Sequence, residues 1–207
     1  MEHLPVGCIV MAAGNASRFG SNKLAARVNG KPLIQLALEA VPRERFSAVA
    51  VVSQYPFILE LAGRLGFLLV ENACPDRGVS HTIRLGLEAL PPCDGVLFQV
   101  ADQPRLRRET VGALVDLWRS HPERIAALGH GGIRGNPCLF PARFFPELLA
   151  LEGDQGGGAV IRRHPEALLL LETAAEELRD VDTQAALAEL DGQDVSADHK
   201  TRGNDTL

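Results

Sequence analysis

A short segment near the start of the chain combines small residues with two cations. An apolar run, Cys8-Ile9-Val10-Met11, has the length of a buried strand and ends abruptly. The residues of interest that follow are Ala12, Ala13, Gly14, Arg18 and Lys23. Without bulky side chains at the turn, a ligand can approach the backbone, whose N–H groups can donate to anionic oxygens. The segment therefore predicts a phosphate-binding loop to which the two cations supply charge.

The spacing of this loop excludes two common phosphate-binding motifs. A P-loop requires GxxxxGK followed by Ser or Thr, whereas two residues separate Gly20 from Lys23 here, and Leu24 follows. A dinucleotide-binding fingerprint requires GxGxxG, but Gly14 and Gly20 are six residues apart with no glycine between them. The alternative interpretation is that Arg18 and Lys23 are ordinary solvated loop cations.

A single aspartate, Asp102, follows a second apolar run at 95–101 and precedes Gln103-Pro104. A turn-forming aspartate is one explanation for this position. The other is a Mg²⁺ ligand, because a hard cation that bridges a triphosphate binds carboxylate oxygens. Sheets of α/β proteins bind ligands beyond the carboxyl ends of their strands, which favours the metal-ligand interpretation.

Alternating strands and helices must position these residues. Apolar periodicity predicts strands at 6–12, 48–53, 67–71, 95–101, 124–128, 137–140 and 168–172. It predicts helices at 31–40, 56–65, 80–90, 108–120, 142–151, 156–163 and 183–190. Because several strands are continuously apolar, we expect an α/β, doubly wound, mostly parallel sheet with helices on both faces, a Rossmann-like fold. Residues 1–190 would form a single domain, and the polar residues 191–207 a flexible tail.

Composition excludes several classes of partner. The formal net charge is -5 and no basic run occurs, so we expect no nucleic-acid partner. No apolar segment approaches the roughly 18 to 20 residues that span a bilayer, and residues 1–5 lack the features of a signal peptide. We therefore expect a cytoplasmic protein without membrane contact. The four cysteines form no CxxC pair and the histidines no HExxH motif, so a zinc or redox site is not indicated.

The motifs and their order resemble those of the MobA-like nucleotidyltransferases. The matching segments are Met11 to Gly14, Arg18 to Gly20, Lys23-Leu24, Gly30 to Leu33, Gly78 to Leu87, Ala101 to Pro104, Gly135 to Phe140, Gly153 to Gly156 and Asp180 to Thr183. The resemblance covers about residues 6 to 190. Within that family, the chain is most similar to the molybdenum cofactor cytidylyltransferases and the accessory proteins of molybdenum hydroxylases. It departs from them at Ala101, where relatives often have Gly or Cys, and at Thr82, which replaces a usual Ser.

The resemblance implies a nucleotide site around the first loop. Arg18 and Lys23 would hold the β- and γ-phosphates and offset the charge of the leaving pyrophosphate. The backbone of Ala12, Ala13 and Gly14 would contact the nucleotide. In the family an Ala-Ala-Gly turn goes with CTP, and a second glycine in the turn with GTP. Ser80 and Thr82 would touch the base or ribose, although Ser80 would equally suit a helix N-cap.

The resemblance also implies a metal and a second substrate. Asp102 would bind Mg²⁺ with Asp182 as a second carboxylate, although Asp180 lies two residues away on the same face of an extended segment. The second-substrate residues would be Arg134, Asn136 and Asp154. Two structural alternatives remain for this region: a glycine-rich hairpin at 131–132, and ordinary loop flexibility at 153–158.

The expected reaction is transfer of a cytidylyl group from CTP to the phosphate of molybdopterin or the molybdenum cofactor, with release of pyrophosphate. No Ser-His-Asp or Cys-His constellation is evident, and a phosphate acceptor, largely dianionic at neutral pH, requires no general base. One alternative is a non-catalytic chaperone that holds the cofactor for a molybdenum hydroxylase apoenzyme. Another is a nucleotidyltransferase that uses GTP or a different phosphate acceptor.

Overall fold

A seven-stranded sheet forms the centre of the protein in the computed structural model, which describes residues 4–14 and 22–190. Its strands are β1 (Val6–Met11), β4 (Ala48–Ser53), β5 (Leu68–Glu71), β6 (Gly95–Val100), β7 (Ile125–His130), β8 (Ile133–Pro141) and β9 (Leu168–Glu172). A separate two-stranded ribbon contains β2 (Arg27–Val28) and β3 (Lys31–Pro32). The flexible tail predicted at 191–207 lies outside the described residues.

The sheet is mostly parallel, as predicted. The strand order is β5-β4-β1-β6-β8-β7-β9. Strand β8 runs antiparallel to both of its neighbours, and every other pairing in the sheet is parallel. The carboxyl ends of β1 and β6 are therefore adjacent, with Met11 opposite Val100. This is the edge at which an α/β sheet binds ligands.

The seven predicted strands are all present. The largest difference between predicted and observed bounds is at β8. This strand begins at Ile133, four residues before the predicted start, because a tight hairpin at Gly131-Gly132 pairs His130 with Ile133. Both glycines have positive φ, 58° and 77°, as a two-residue hairpin loop requires. The hairpin interpretation of these glycines is thus confirmed. Sequence reasoning missed the β2–β3 ribbon, although Asn29-Gly30 at its turn is a strong hairpin signal.

Helices cover both faces of the sheet. The α-helices are α1 (Leu33–Glu39), α2 (Pro56–Arg64), α3 (Val79–Ala89), α4 (Arg108–Ser120), α5 (Phe145–Leu149) and α6 (Gly157–Arg163), and residues 184–190 are also helical. Apolar residues of α1, α2 and α4 pack in one core cluster with Cys8 and Val10 of β1. Those of α3, α5 and α6 pack in a second cluster with Ile9. The alternation of side chains along β1 thus fills two cores, which confirms the doubly wound arrangement.

The start of α3 differs from the prediction. Its N-cap is Gly78, with φ 85°, so Ser80 lies inside the helix and the N-cap interpretation of Ser80 is wrong. Only glycine fits at position 78, because a Cβ there would lie 2.3 Å from the carbonyl oxygen of Gly153. The backbone N–H of Ser80 donates to that same carbonyl over 3.0 Å. The 153–158 segment is therefore fixed against the start of α3.

None of the helices within residues 4–14 and 22–190 has the length and apolar character needed to cross a membrane.

The packing of α3 against β1 gives a testable contrast between two helical glycines. A Cβ at Gly86 would lie 2.7 Å from Cγ2 of Ile9, whereas a Cβ at Gly112 in α4 would meet no atom within 4 Å. We expect Gly112→Ala to stabilise the fold by up to about 1 kcal/mol through helix propensity. Gly86→Ala gains the same propensity but should unfold with a free energy about 1–3 kcal/mol below that of Gly112→Ala, because it overpacks the core. Urea denaturation of both variants measures the difference, and equal free energies would contradict the packing described here.

Candidate functional site

The turn after β1 is held in place by the end of β4. The N–H of Ala12 donates to the carbonyl of Val52, and the carbonyl of Ala12 accepts from the Ser53 hydroxyl, each over 2.9 Å. Both backbone groups of Ala12 are therefore already used, and the residue is buried. Gln54 Nε2 donates to the carbonyl of Ala13 over 2.9 Å. Ala12 thus shapes the turn, and the N–H groups of Ala13 and Gly14 have no acceptor among the described residues.

Lys23 is placed by a short 3-10 helix, Lys23–Ala25. The Oδ1 atom of Asn22 accepts from the N–H of Leu24 over 3.0 Å, and the Leu24 side chain is buried in the first core cluster. These two anchors direct Lys23 towards the carboxyl end of β6. Arg18, the other predicted cation of the loop, lies outside the described residues.

Lys23 joins two carboxylates from distant parts of the chain. Its Nζ atom lies 2.8 Å from Oδ2 of Asp102 and 3.0 Å from Oδ1 of Asp182. Burial of Lys23 disfavours its charged form, but hydrogen bonds and opposite charge from both aspartates outweigh this and raise its pKa. Lys23 is therefore an ammonium cation at neutral pH, and we call these three residues the Lys23 triad.

Only one of the two carboxylate oxygens of Asp102 contacts Lys23. Its Oδ2 atom accepts from Lys23, whereas its Oδ1 atom is buried and has no hydrogen-bond partner among the described residues. A buried carboxylate oxygen without a partner is costly, and such atoms in folded proteins usually meet a ligand, ion or water. The free lone pairs of Oδ1 make Asp102 the residue of the triad best prepared for a further ligand.

Asp182 reaches Lys23 because the chain after β9 crosses back over the start of α4. Glu177 lies in this segment, buried, and accepts from Arg107 Nε over 3.0 Å and from Thr173 Oγ1 over 2.7 Å. The N–H of Val181 then donates to the carbonyl of Asp102 over 2.9 Å. We call residues 173–182 the docking segment. Its contacts fix Asp182 beside Asp102 although 80 positions separate the two in the sequence.

The neighbouring Asp180 faces another partner. Its Oδ1 atom accepts from Gln103 Nε2 over 3.0 Å, and burial together with the charge of Asp102 raises its pKa. Asp182, not Asp180, forms the ion pair with Lys23. Across residues 4–14 and 22–190, no group of three or more His, Cys, Asp or Glu residues is arranged to hold a metal ion. Asp102 and Asp182 both contact Nζ of Lys23, so these two carboxylates are the candidate metal ligands at this end of the sheet.

Ser80 and Thr82 are not brought to an open surface. Both side chains are buried in α3, 6% exposed, and neither lines the cavity described next. The hydroxyl of Thr82 accepts from Asn72 Nδ2 over 3.2 Å, a contact that fixes the loop before α3. The described contacts of Thr82 are thus structural.

A cavity of about 510 Å³ opens beside the carboxyl ends of β1 and β6, where Met11 and Val100 line it. All three predicted second-substrate residues line it as well: Arg134, Asn136 and Asp154. Residues of the matching motifs and of the 153–158 segment also line it: Val79, Ile83, Cys138, Phe140, Gly157 and Gly158. Sequence reasoning did not single out Phe98 and Arg162, which line it as well. Alternation along β8 could have predicted part of this lining, because side chains of a strand point to opposite faces in turn. Residues 134, 136, 138 and 140 therefore face the cavity together.

Comparison with known proteins gives a family match and two informative relatives. A model of the MobA-like NTP transferase domain matches residues 8–168. The chain is 28% identical over 190 residues to the purine catabolism protein PucB of Bacillus subtilis, covering 84% of this chain and 90% of the relative. It is 32% identical over 124 residues to a 2-C-methyl-D-erythritol 4-phosphate cytidylyltransferase of Streptomyces coelicolor, covering 54% of this chain and 45% of the relative.

Solved structures with the same fold include two mycobacterial proteins. A homologue of Mycobacterium tuberculosis Rv0371c from Mycobacterium sp. strain JC1 superposes with a TM-score of 0.78 at 24% identity, covering 93% of this chain and 98% of that one. A complex of Mycobacterium tuberculosis Rv0371c with manganese superposes with a TM-score of 0.73 at 21% identity, covering 90% and 97%. At these identities the likeness shows the shared fold.

The docking segment should release when Glu177 is protonated. Burial raises the pKa of this carboxyl, but its hydrogen bonds, led by Arg107, outweigh burial and hold the pKa below its usual range. The pKa of this carboxyl is near 4.5 in the unfolded chain and lower in the folded protein. Glu177 therefore stabilises the fold fully above the unfolded-state pKa. This stabilisation is lost as the pH falls through the folded-state pKa. We therefore expect the wild-type melting temperature to fall more steeply between about pH 5 and pH 3 than that of Glu177→Gln.

The matched control for this experiment is Glu88→Gln, since Glu88 lies exposed on α3. Its melting temperature should follow that of the wild type across the same pH range. Parallel curves for the wild type and Glu177→Gln would show that Glu177 does not contribute to the pH dependence of stability.

Proposed function

The chain belongs to the MobA-like NTP transferase family, and from this premise we propose that it transfers the cytidylyl group of CTP to the phosphate of molybdopterin or the molybdenum cofactor. The observation that carries the proposal is the Lys23 triad beside the Ala13-Gly14 turn, next to a cavity of about 510 Å³. Lys23 supplies a cation for a nucleoside triphosphate, the two aspartates supply carboxylates for a divalent cation, and the cavity has the size of a small-molecule acceptor site.

The proposed reaction is an in-line displacement at the α-phosphorus of CTP. A phosphate oxygen of the acceptor attacks, a new P–O bond forms, and the bond between the α-phosphorus and the bridging oxygen breaks. Pyrophosphate leaves with that electron pair. Because a phosphate monoester is largely dianionic at neutral pH, with a second pKa near 6, the attacking oxygen carries no proton to be removed. Catalysis would rest on positioning and charge, not on a covalent intermediate.

Each group of the nucleotide site has a role in this proposal. The N–H groups of Ala13 and Gly14 would donate to phosphate oxygens above the open turn, since a Cβ on Gly14 would meet no atom within 4 Å. The ammonium of Lys23 would offset charge on the β- and γ-phosphates and on the leaving pyrophosphate. Arg18 would add a second cation from the same loop. Ser80 and Thr82 would contact the base or ribose only if α3 exposed their side chains.

The residues at the Lys23 triad fit a divalent cation, for which we propose Mg²⁺. Asp102 Oδ1 is buried without a hydrogen-bond partner among the described residues, and Asp182 is within reach of the same ammonium group. Asp102 and Asp182 would hold the ion, which supplies charge neutralisation for the triphosphate when bound. The manganese complex of the mycobacterial protein of the same fold supports a divalent cation here.

Two observations support CTP as the nucleotide. The Ala-Ala-Gly turn resembles that of family members that use CTP, and a glycine-richer turn is typical of those that use GTP. The Streptomyces coelicolor relative, 32% identical over 124 residues, is named as a cytidylyltransferase. GTP is the alternative nucleotide.

The acceptor assignment is supported by motif resemblance and by the lining of the cavity. Apolar side chains, Ile83, Phe98 and Phe140, suit a flat heterocycle, and Arg134 and Asn136 suit polar or anionic groups on it. Molybdopterin combines such a heterocycle with a phosphate. The PucB relative is named for purine catabolism, which names no acceptor, so another phosphate-bearing acceptor is the alternative. A molybdenum hydroxylase apoenzyme would receive the product, or would receive the cofactor itself if the protein were a chaperone.

Removing the charge of Asp102 should abolish turnover without unfolding the protein. In Asp102→Asn, Lys23 keeps its second carboxylate, Asp182, so the circular dichroism spectrum should be unchanged. We expect pyrophosphate release to fall by about 10²–10³-fold, the usual loss when a charged group at the reacting phosphates is removed. Mn²⁺ binding, measured by electron paramagnetic resonance, should weaken in parallel.

The matched control is Asp116→Asn. Asp116 lies on α4 and forms an exposed ion pair with Arg45. This variant should release pyrophosphate at the wild-type rate. Wild-type turnover in Asp102→Asn would remove Asp102 from the mechanism.

Nucleotide choice can be tested by measuring pyrophosphate release with CTP and with GTP in the presence of molybdopterin. We expect CTP to give the higher kcat/KM, because the Ala12-Ala13-Gly14 turn resembles that of family members that use CTP. A preference for GTP would overturn the cytidylyl assignment. No release with either nucleotide would favour the chaperone, and a different phosphate acceptor that supports release would replace molybdopterin.

A further inference from the structure

Two arginines from different elements meet beside the cavity. Arg134 lies on β8 and Arg162 on α6, and both line the cavity. A Cβ on Gly158 would lie 3.1 Å from Nη2 of Arg134 and 3.7 Å from Nη1 of Arg162. The two guanidinium groups therefore approach the same point, and we call these residues the arginine pair.

Neither member of the arginine pair forms an ion pair with a carboxylate of the described residues, and the acidic residue that lines the same cavity is Asp154. Arg134 donates to the carbonyl of Gly135 over 3.3 Å and to Sγ of Cys138 over 3.4 Å, both uncharged acceptors. Arg162 forms no hydrogen bond or ion pair within residues 4–14 and 22–190. The next residue, Arg163, does pair with Glu147, over 2.9 Å. Two like charges held close together repel each other, and an anion between them would remove that repulsion.

The position of the arginine pair relates it to the nucleotide site. Strand β8 runs antiparallel to β6 and pairs Cys138 with Phe98. Arg134 therefore lies past the carboxyl end of β6, the same end at which Asp102 follows the strand. The apolar lining from Phe98 and Phe140 lies further back along both strands. An acceptor with an apolar ring on that lining would present its anionic group to the arginine pair, on the side where the nucleotide phosphates bind.

We propose that Arg134 and Arg162 bind the attacking phosphate of the acceptor together, and that Arg162 is the residue that selects a dianionic acceptor. This inference rests on the proposed function for the identity of the attacking group. Guanidinium groups donate paired hydrogen bonds that match the oxygens of a phosphate, so two of them can hold a dianion in one orientation. Binding by Arg134 alone would leave one of those charges without a partner.

The arginine pair also affects the protonation of the acceptor. The attacking oxygen must carry no proton, and the second pKa of a free phosphate monoester is near 6. Two adjacent cations favour the dianion and lower that pKa. The pH profile of kcat reports the pKa of the bound acceptor. Loss of Arg162 should therefore move the acidic limb of the kcat profile to higher pH, which a merely structural role would not do.

The test measures binding of phenyl phosphate, a simple aryl phosphate, to the free protein without nucleotide. Arginine side-chain Nε–H signals in ¹⁵N-correlated NMR spectra would report contact at Arg134 and Arg162. We expect Arg162→Gln to weaken binding by about ten- to a hundred-fold, as loss of a charge-assisted hydrogen bond does. Arg163→Gln, its neighbour on α6, is the matched control and should bind like the wild type.

A second variant supplies the anion from the protein itself. In Gly158→Asp the new carboxylate would lie between the two guanidinium groups, and an acidic residue in the first turn of α6 is compatible with the helix. Phenyl phosphate should then no longer shift the Nε–H signals of the arginine pair, while the protein stays folded.

Each outcome separates the arginine pair from the proposed function. Wild-type binding of phenyl phosphate by Arg162→Gln, or by Gly158→Asp, would overturn the inference. The expected binding pattern without any CTP-dependent turnover would support the anion site and reject the proposed function. With turnover, Arg162→Gln should raise the acceptor KM about ten-fold or more and leave the CTP KM unchanged, and Arg162→Lys should restore part of the loss.

Discussion

The ion pair network at Lys23 is the interaction on which the arrangement of the site depends. One ammonium group joins the loop after β1 to a carboxylate at the end of β6 and to a second carboxylate from the docking segment. Because Lys23 and Asp102 are largely buried, either charge would be costly without the other, whereas Asp182 is 68% exposed and can be solvated. The same network leaves Asp102 Oδ1 without a partner among the described residues. Asp102 thus neutralises Lys23 through one carboxylate oxygen and keeps the other for a ligand.

The docking segment shows how a distant part of the chain completes that network. Glu177 is bonded to Arg107 and Thr173, Gln103 donates to the carbonyl of Leu178, and Val181 packs with the apolar residues of the β2–β3 ribbon and α1. These contacts are polar on the α4 side and apolar on the α1 side. The docking segment therefore contacts both α1 and the start of α4, and these contacts fix the position of Asp182.

Several features could be predicted from the sequence because they depend on local patterns. The seven strands followed from apolar runs, and the parallel sheet from runs that do not alternate. The placement of Asp102 at a strand end followed from its position after 95–101. Other features depended on contacts that no local pattern encodes. Ser80 suited an N-cap, but the N-cap is Gly78, which packs closely on Gly153, and Ser80 lies inside the helix. Thr82 suited a ligand contact, but it bonds to buried Asn72.

The sequence by itself determined the order of the elements, the turn of small residues after β1, and the residue types that could bind phosphates or a cation. Apolar periodicity and turn chemistry act over a few residues, so they can be read along the chain. Only the tertiary structure decided that Asp182 pairs with Lys23 while Asp180 faces Gln103, and that Arg134 and Arg162 converge beside Gly158. These are pairings between residues far apart in sequence, and they depend on how the docking segment and α6 pack on the sheet.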